Sequence, residues 1–141
     1  MAGPTGDETA EADREVVRRA LEAWNRHDVD GLLALCHKGV RFRSLIGAVE
    51  GSKAHRGHEG VRRWWVEAEE VFEGRRMEVD AITTRGEWVV FTGVGVGTGR
   101  ASGAEVRWPY MGVARLADGL LSEWRLFADT DEAEAFLGDA R

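Results

Sequence analysis

The sequence contains little cysteine and no long apolar run. Cys36 is the only cysteine among 141 residues, so a disulfide within the chain is impossible. Its apolar setting, LLALC, favours a buried and inert thiol, because the partner signature of nucleophilic catalysis is missing. No stretch approaches the roughly 20 apolar residues of a membrane span, and the start MAGPTGDETAEAD lacks the basic and apolar parts of a secretory signal. We therefore expect a soluble, cytoplasmic protein with no membrane partner.

Basic residues are also fewer than acidic residues. The 19 Lys and Arg residues against 25 Asp and Glu give a formal net charge of -6. That sign is wrong for a general nucleic-acid binder, so no nucleic-acid partner is expected. Arg56, Arg62 and Arg63 form a small basic group, but three such charges are typical of a solvated helix flank.

Metal and phosphate motifs are missing from the sequence. The four histidines are not spaced as paired ligands, and no HxxxH or CxxC occurs. We therefore expect no metal and no other cofactor. The run GVGVGTG lacks the lysine of a phosphate-binding loop, and its alternation favours a strand in which glycine allows curvature or close packing.

Helical periodicity predicts four helices. Apolar residues recur every three or four positions from about Thr9 to His27, which predicts the first helix. Asp28 as an N-cap and Gly39 as a stop bound a short second helix, VDGLLALC. HEGVRRWWVEAEEVF is amphipathic and predicts the third. DTDEAEAFLG has the spacing of a capping box and a glycine where a helix stops, which predicts the fourth.

Alternating segments predict five strands. VRFRSLI, at about 40–46, is the first, and the glycine-rich GAVEGSKAHRG after it is typical of a loop beside a binding site. RRMEVDAITTRG, EWVVFTGVGVGTG, ASGAEVRWPYMGVARLADG and LLSEWRLFAD follow as four strands joined by short turns. Short turns between consecutive strands indicate an antiparallel meander.

These elements predict an α+β domain. Residues 1–8 are expected to be a disordered lead, and residues 9–141 a single domain. The helices would cover one face of a curved antiparallel sheet. A half-wrapped sheet of this kind leaves a cone, whose open end is a pocket.

The order of these elements resembles a known superfamily. Together with HRGHEGVRRWW, DGLLSEWRLFAD and the closing DEAEAFLG, it resembles the nuclear transport factor 2-like proteins, most closely their SnoaL-like, polyketide cyclase-like branch, over about residues 12–138. The resemblance implies a cystatin-like α+β roll, in which a cone-shaped curved antiparallel sheet wraps around three to four helices and an internal pocket. The superfamily includes isomerases, dehydratases, epoxide hydrolases, polyketide cyclases and inactive domains, so the fold does not choose the reaction.

Aromatic side chains are predicted to line the pocket. Strand alternation puts Trp108 and Tyr110 on one face of a strand, and residues from other elements join them in this fold. The predicted ligand-binding residues are Trp24, Phe42, Ser44, Trp65, Trp108 and Trp124. Rigid rings packed in a cone favour a cavity for a flat, apolar or aromatic small molecule, although the same pattern also fits a filled core.

The resemblance also bears on acid and base groups. Ketosteroid isomerases of this superfamily carry a proton-shuttling aspartate where this chain has Ser44, a tyrosine at Ala20 and a second acid near Gly112, so we do not expect that activity. SnoaL-type cyclases use one late acidic residue, for which Asp129 is the nearest carboxylate. A helix N-cap worth about 1 kcal/mol is the competing interpretation of Asp129. Asp80 is a lesser candidate.

Two other residues complete the predicted catalytic set of His55, Tyr110 and Asp129. His55 ends the glycine-rich loop beside the expected mouth and could reach inward. Tyr110, the only tyrosine, could donate a hydrogen bond to a carbonyl. The other histidines are given structural or solvent-facing positions: His27, His37 and His58.

Three functions remain open from the sequence. The first is a cofactor-independent cyclase, isomerase or dehydratase that acts on a hydrophobic, ring-bearing carbonyl compound. The second is a non-catalytic binding protein for a small apolar ligand. The third, compatible with both, is a homodimeric assembly module that uses the opposite sheet face, where Met111, Val113 and Phe127 lie.

Overall fold

A six-stranded sheet with four helices makes up the computed structural model, which describes residues 6–43 and 54–139. The helices are α1 (Gly6–Asn25), α2 (Val29–Ala34), α3 (Gly57–Val71) and α4 (Thr130–Asp139). The strands are β1 (Cys36–Arg43), β2 (His55–Arg56), β3 (Phe72–Arg85), β4 (Trp88–Gly99), β5 (Glu105–Ala117) and β6 (Leu120–Phe127). The predicted α+β class is confirmed.

The sheet is a curved, unclosed layer with the strand order β2-β1-β6-β5-β4-β3. Strands β3 to β6 pair with their sequence neighbours in antiparallel fashion, which confirms the predicted meander. β1 runs parallel to β6. At the β5–β6 turn, Asp118 and Gly119 have φ of 54° and 78°, as a two-residue type I′ hairpin turn requires.

Helices α1, α2 and α3 cover the concave side of the sheet, which we call the inner face. Each contributes buried apolar side chains to one core cluster with the strands: Val17, Leu21, Leu32, Leu33 and Val61. The periodicity that predicted these helices is thus the periodicity of their packing. None of the helices within residues 6–43 and 54–139 is both long and apolar enough to cross a membrane.

Helix α4 lies on the opposite, outer face of the sheet. Ala133 and Leu137 of α4 pack in a second cluster with strand residues that include Met111 and Val113, and Phe127 packs against it. The expectation that all helices share one face is wrong, and so is the use of Met111 and Val113 as a dimer surface. Alternation shows that a strand face is apolar but not which element covers it.

The start of β1 also differs from the prediction. Cys36 begins β1, whereas the sequence placed Cys36 inside the second helix and Gly39 at its end. The carbonyl of Leu35 accepts a hydrogen bond from the Leu121 N–H at 2.8 Å, and Cys36 pairs with Leu121 of β6. Pairing with a distant strand therefore ends α2 earlier than the local pattern indicated.

The first helix also begins earlier than predicted. Helix α1 begins at Gly6 rather than Thr9, so the last part of the predicted disordered lead is helical. Residues 1–5 lie outside the described part of the chain, as do residues 44–46 at the end of the predicted first strand.

Glycines allow aromatic rings to lie flat on the inner face. A Cβ at Gly95 would lie 2.4 Å from the ring of Trp108, and a Cβ at Gly112 would lie 2.2 Å from the ring of Phe91. The interpretation of GVGVGTG as a close-packed strand fits these contacts.

Adding one methyl group at Gly112 is expected to lower the free energy of unfolding by about 1–3 kcal/mol. The Phe91 ring that Gly112→Ala would displace is fully buried and lies 4.6 Å from the Trp124 ring between centroids. Urea denaturation of the variant measures this loss. The same change at Gly138 of α4, where nothing lies within 4 Å of the added Cβ, should leave stability unchanged or slightly higher. Equal stability of Gly112→Ala and the wild type would contradict the packing described.

Candidate functional site

Six rings from six elements form a continuous series on the inner face, which we call the aromatic row. Its members, in spatial order, are Trp24, Trp64, Phe42, Trp124, Phe91 and Tyr110. Neighbouring ring centroids are between 4.6 and 6.0 Å apart. The row begins at helix α1, crosses α3 and β1, and ends on β5, so residues far apart in sequence form one apolar wall.

The predicted lining residues are only partly brought together. Trp24, Phe42 and Trp124 belong to the row, and Trp65 meets Trp24 edge-on at 5.1 Å. Trp108 instead stacks on Phe72 at 5.2 Å. Ser44 lies outside the described residues. Trp64 and Phe91, which also belong to the row, were not predicted as site residues.

Among the described residues, two indole N–H groups in the row meet no hydrogen-bond partner. Trp64 and Trp124 are 5% and 4% exposed, and neither Nε1 atom meets an acceptor. Trp65, by contrast, donates from Nε1 to Glu69 Oε1 at 2.6 Å. A buried donor without an acceptor costs about 1–3 kcal/mol. The row therefore presents donors suited to an oxygen atom.

His55 forms a pair with a carboxylate at the edge of the row. It stands opposite Phe42 in the β1–β2 ladder, so both side chains lie on the inner face. His55 is 7% exposed, and its Nε2 lies 3.2 Å from Glu67 Oε2. Because an ionised carboxylate only accepts hydrogen bonds, Nε2 carries the proton, and in the neutral ring Nδ1 has a free lone pair. Nδ1 is buried and meets no partner among the described residues, as a general base would.

Arg75 is a further residue that sequence reasoning missed. Its guanidinium carbon lies 3.7 Å from the centre of the Trp24 ring and 4.5 Å from that of Trp65. Burial lowers its pKa, and the nearby Glu69 carboxylate opposes that shift. The one signal in the sequence for the inward direction of Arg75 is its two-residue spacing from Met77 within the segment RRMEVD.

The sequence profile of the SnoaL-like domain family matches residues 17–124. The chain belongs to this family. The expected resemblance is confirmed, and with it the nuclear transport factor 2-like fold. Among curated proteins, none is significantly similar in sequence to this SnoaL-like domain.

Solved structures share the fold over nearly the whole chain. An NTF2-like protein of unknown function from Burkholderia pseudomallei K96243 is 24% identical with a TM-score of 0.75, covering 88% of this chain and 95% of that chain. A protein from Jannaschia sp. CCS1, assigned as a SnoaL-like polyketide cyclase, is 21% identical with a TM-score of 0.75, covering 94% and 96%. TerC, co-crystallised with polyporic acid, is 17% identical with a TM-score of 0.74, covering 88% and 96%.

Two of the predicted catalytic groups lie away from His55 in this SnoaL-like domain. The Tyr110 hydroxyl, at the far end of the row, donates to the Glu78 carbonyl at 3.1 Å. Asp129 is exposed and accepts a hydrogen bond from the Asp131 N–H at 2.8 Å, where it caps α4 on the outer face. Asp80 is exposed as well.

The remaining titratable candidates have structural surroundings. His58 is exposed, as expected, and its Nε2 donates to the Cys36 carbonyl at 3.0 Å. His37 lies in β1 and accepts from the Gly39 N–H at 3.1 Å. His27 follows α1 with a φ of 58°. Burial raises the pKa of the Cys36 thiol to about 12, which keeps it protonated and unreactive.

Metal ligands do not cluster in the described segments. Within residues 6–43 and 54–139, no group of three or more His, Cys, Asp or Glu side chains is arranged to hold a metal ion.

Tyr110 gives a direct pH test of the inner face. Burial, together with the negative charge of Asp80, raises its pKa above the usual value of about 10. Because the unfolded chain releases this proton first, the stabilising contribution is complete below about pH 10 and is lost as the pH rises further. The near-ultraviolet phenolate absorbance should therefore appear near pH 10 only in denaturant. Tyr110→Phe, which removes the only tyrosine, gives the baseline, and normal titration in the native protein would contradict the burial of this hydroxyl.

Proposed function

We propose that this SnoaL-like domain binds a small, hydrophobic, ring-bearing carbonyl compound against the aromatic row and moves a proton on it without a cofactor. The reaction would belong to the cyclase, isomerase or dehydratase type. The observation that carries the proposal is the pair of buried indole N–H groups, on Trp64 and Trp124, that meet no acceptor in residues 6–43 and 54–139. A carbonyl oxygen supplies the missing acceptor, and a flat ring matches the walls.

His55 and Glu67 would perform the proton transfer. His55 Nδ1 takes a proton from the carbon beside the carbonyl, and the electron pair of the broken C–H bond moves to the carbonyl oxygen as an enolate. An indole N–H from the row stabilises that oxygen. The Glu67 carboxylate, 3.2 Å from Nε2, stabilises the imidazolium that forms. In a compound with a C=C bond next to that carbon, the enolate electrons extend to the far carbon of this bond. Return of the proton from Nδ1 to that far carbon re-forms the C=O bond, moves the double bond into conjugation and restores neutral His55.

Two solved structures of the same fold are compatible with a small-molecule role. One is assigned as a SnoaL-like polyketide cyclase, and TerC was crystallised with an organic acid. Both are too distant in sequence to define a substrate, so the proposal rests on the side chains of this chain.

A non-catalytic binding protein is the second candidate function. It is favoured by the positions of Tyr110, whose hydroxyl hydrogen is engaged by Glu78, and Asp129, which lies on the outer face. If Tyr110 and Asp129 take no part in proton transfer, His55 is the one member of the predicted catalytic set that is left to do so.

Deuterium exchange into 2-tetralone, a bicyclic ketone, distinguishes the two candidates. The wild-type protein is expected to accelerate exchange at the carbon beside the carbonyl. Proton NMR in deuterium oxide measures this exchange rate. His55→Gln should reduce the protein-catalysed rate by about 100-fold or more, because it removes the base. Glu67→Gln should give a smaller loss, because it leaves the base but removes its charged partner.

Asp129→Asn is the matched control for that experiment. It changes a carboxylate of the outer face and keeps a residue that caps helices well, so the exchange rate should not change. Binding of 2-tetralone without accelerated exchange would contradict the enzyme and support the non-catalytic binding protein. Absence of both binding and exchange would overturn both candidates.

The homodimer and the cytoplasmic location expected from the sequence stay proposals. Helix α4 covers Met111 and Val113, so a dimer would use a different surface. Light scattering at increasing concentration should then give twice the monomer mass, and a constant monomer mass would contradict the dimer.

A further inference from the structure

A β-bulge turns Arg75 toward the inner face. Glu73 pairs with Thr98 and Arg76 with Val96, so β3 contains one residue more than β4 between these pairs. Gly74, within the bulge, has a φ of 60°, a conformation that glycine adopts without strain. Arg75 is consequently buried, while its neighbours on both sides are exposed.

The guanidinium of Arg75 is enclosed by aromatic rings. It lies over Trp24 and Trp65, and the residue is 3% exposed. Trp24 in turn stacks on Trp64 with 4.6 Å between ring centroids. One continuous stack therefore joins this cation to the unpaired indole N–H of Trp64.

The hydrogen-bonding capacity of Arg75 is mostly unused. Nη2 donates to Glu69 Oε1 at 3.3 Å, while Nε and Nη1 are buried and have no partner in the part of the chain that the structure describes. Glu69 is about half exposed and also accepts the hydrogen bond of Trp65, so it is shared between two donors. A buried charge with incomplete partners is unfavourable for the folded state, and a hydrophobic side chain of similar size would serve packing better. The charge is thus better explained by something that it binds.

We propose that Arg75 anchors an anionic oxygen of the carboxylate type on a flat, ring-bearing ligand of the aromatic row. The ligand's ring lies against the indole walls, and its anionic oxygen accepts hydrogen bonds from Nε or Nη1 of Arg75. This inference rests on the proposed function, since it specifies the charge of the compound that the same site binds. The ligand class is accordingly an aromatic or polycyclic acid that also carries a carbonyl group.

Two probes of equal shape and different charge test this inference. 2-Naphthoate carries the carboxylate, and 2-naphthamide is its neutral planar counterpart. Titrations followed by tryptophan fluorescence should show the wild-type protein binding 2-naphthoate at least about 10-fold more tightly than 2-naphthamide, as a charge-assisted hydrogen bond predicts. In Arg75→Met the two dissociation constants should become equal, with the 2-naphthamide constant within about 3-fold of its wild-type value, since methionine keeps the apolar contact.

Arg62→Met is the matched control. Arg62 is exposed and pairs with Asp30 at 2.8 Å on the surface, so this variant should keep the wild-type preference for 2-naphthoate. If Arg75→Met does not fold, Arg75→Lys takes its place. Lysine keeps the charge but not the planar fork, and it should bind 2-naphthoate several-fold more weakly than the wild type does.

The outcomes separate the inference from the proposed function. Equal wild-type affinity for the two probes would overturn the role of Arg75 and leave the aromatic site intact. A preference that survives in Arg75→Met, or that is unchanged in Arg75→Lys when only that variant folds, would also overturn it. Failure of both probes to bind the wild type would overturn the proposed function together with the inference.

Discussion

Ring-to-ring contact between the helices and the sheet is the interaction on which the rest of this structure depends. Trp64 of α3 stacks on Trp24 of α1 and meets Phe42 of β1 at 5.2 Å, so one side chain joins two helices to the sheet. Each aromatic pair contributes about 0.5–1.5 kcal/mol beyond the burial of its area. Phe91 lies over Gly112, where no side chain would fit beneath the ring. Gly112 thus leaves the room on β5 that the Phe91 ring occupies.

The same packing creates an excess of hydrogen-bond donors. Trp64, Trp124 and Arg75 bring buried N–H groups to the inner face that meet no acceptor among the described residues. His55 Nδ1 is the exception, because its partner Glu67 fixes the proton on the other nitrogen. Donors beside a single base are what a carbonyl compound needs for binding and for loss of a proton. The packing of the rings and the chemistry proposed for the site therefore have one origin.

Much of the fold followed from sequence periods, and much of the site did not. Two-residue alternation placed Tyr110 and Trp124 on the inner face, because side chains of a strand must alternate. Alternation could not reveal that α4 covers Met111 or that Cys36 pairs with β6, since both contacts depend on elements distant in the chain. His55 and Glu67 meet across a strand and a helix. Arg75 is buried because of a β-bulge, which the local pattern of charged residues does not predict.

The central claim is that the unpaired donors of the aromatic row receive the oxygen of a ring-bearing carbonyl compound. A crystal structure of the protein in complex with 2-tetralone tests it most directly. The ketone oxygen should lie within about 3 Å of Trp64 Nε1 or Trp124 Nε1, with the ligand rings against the row. A structure in which the ketone binds elsewhere, while the rings enclose both nitrogens without any acceptor, would contradict the claim.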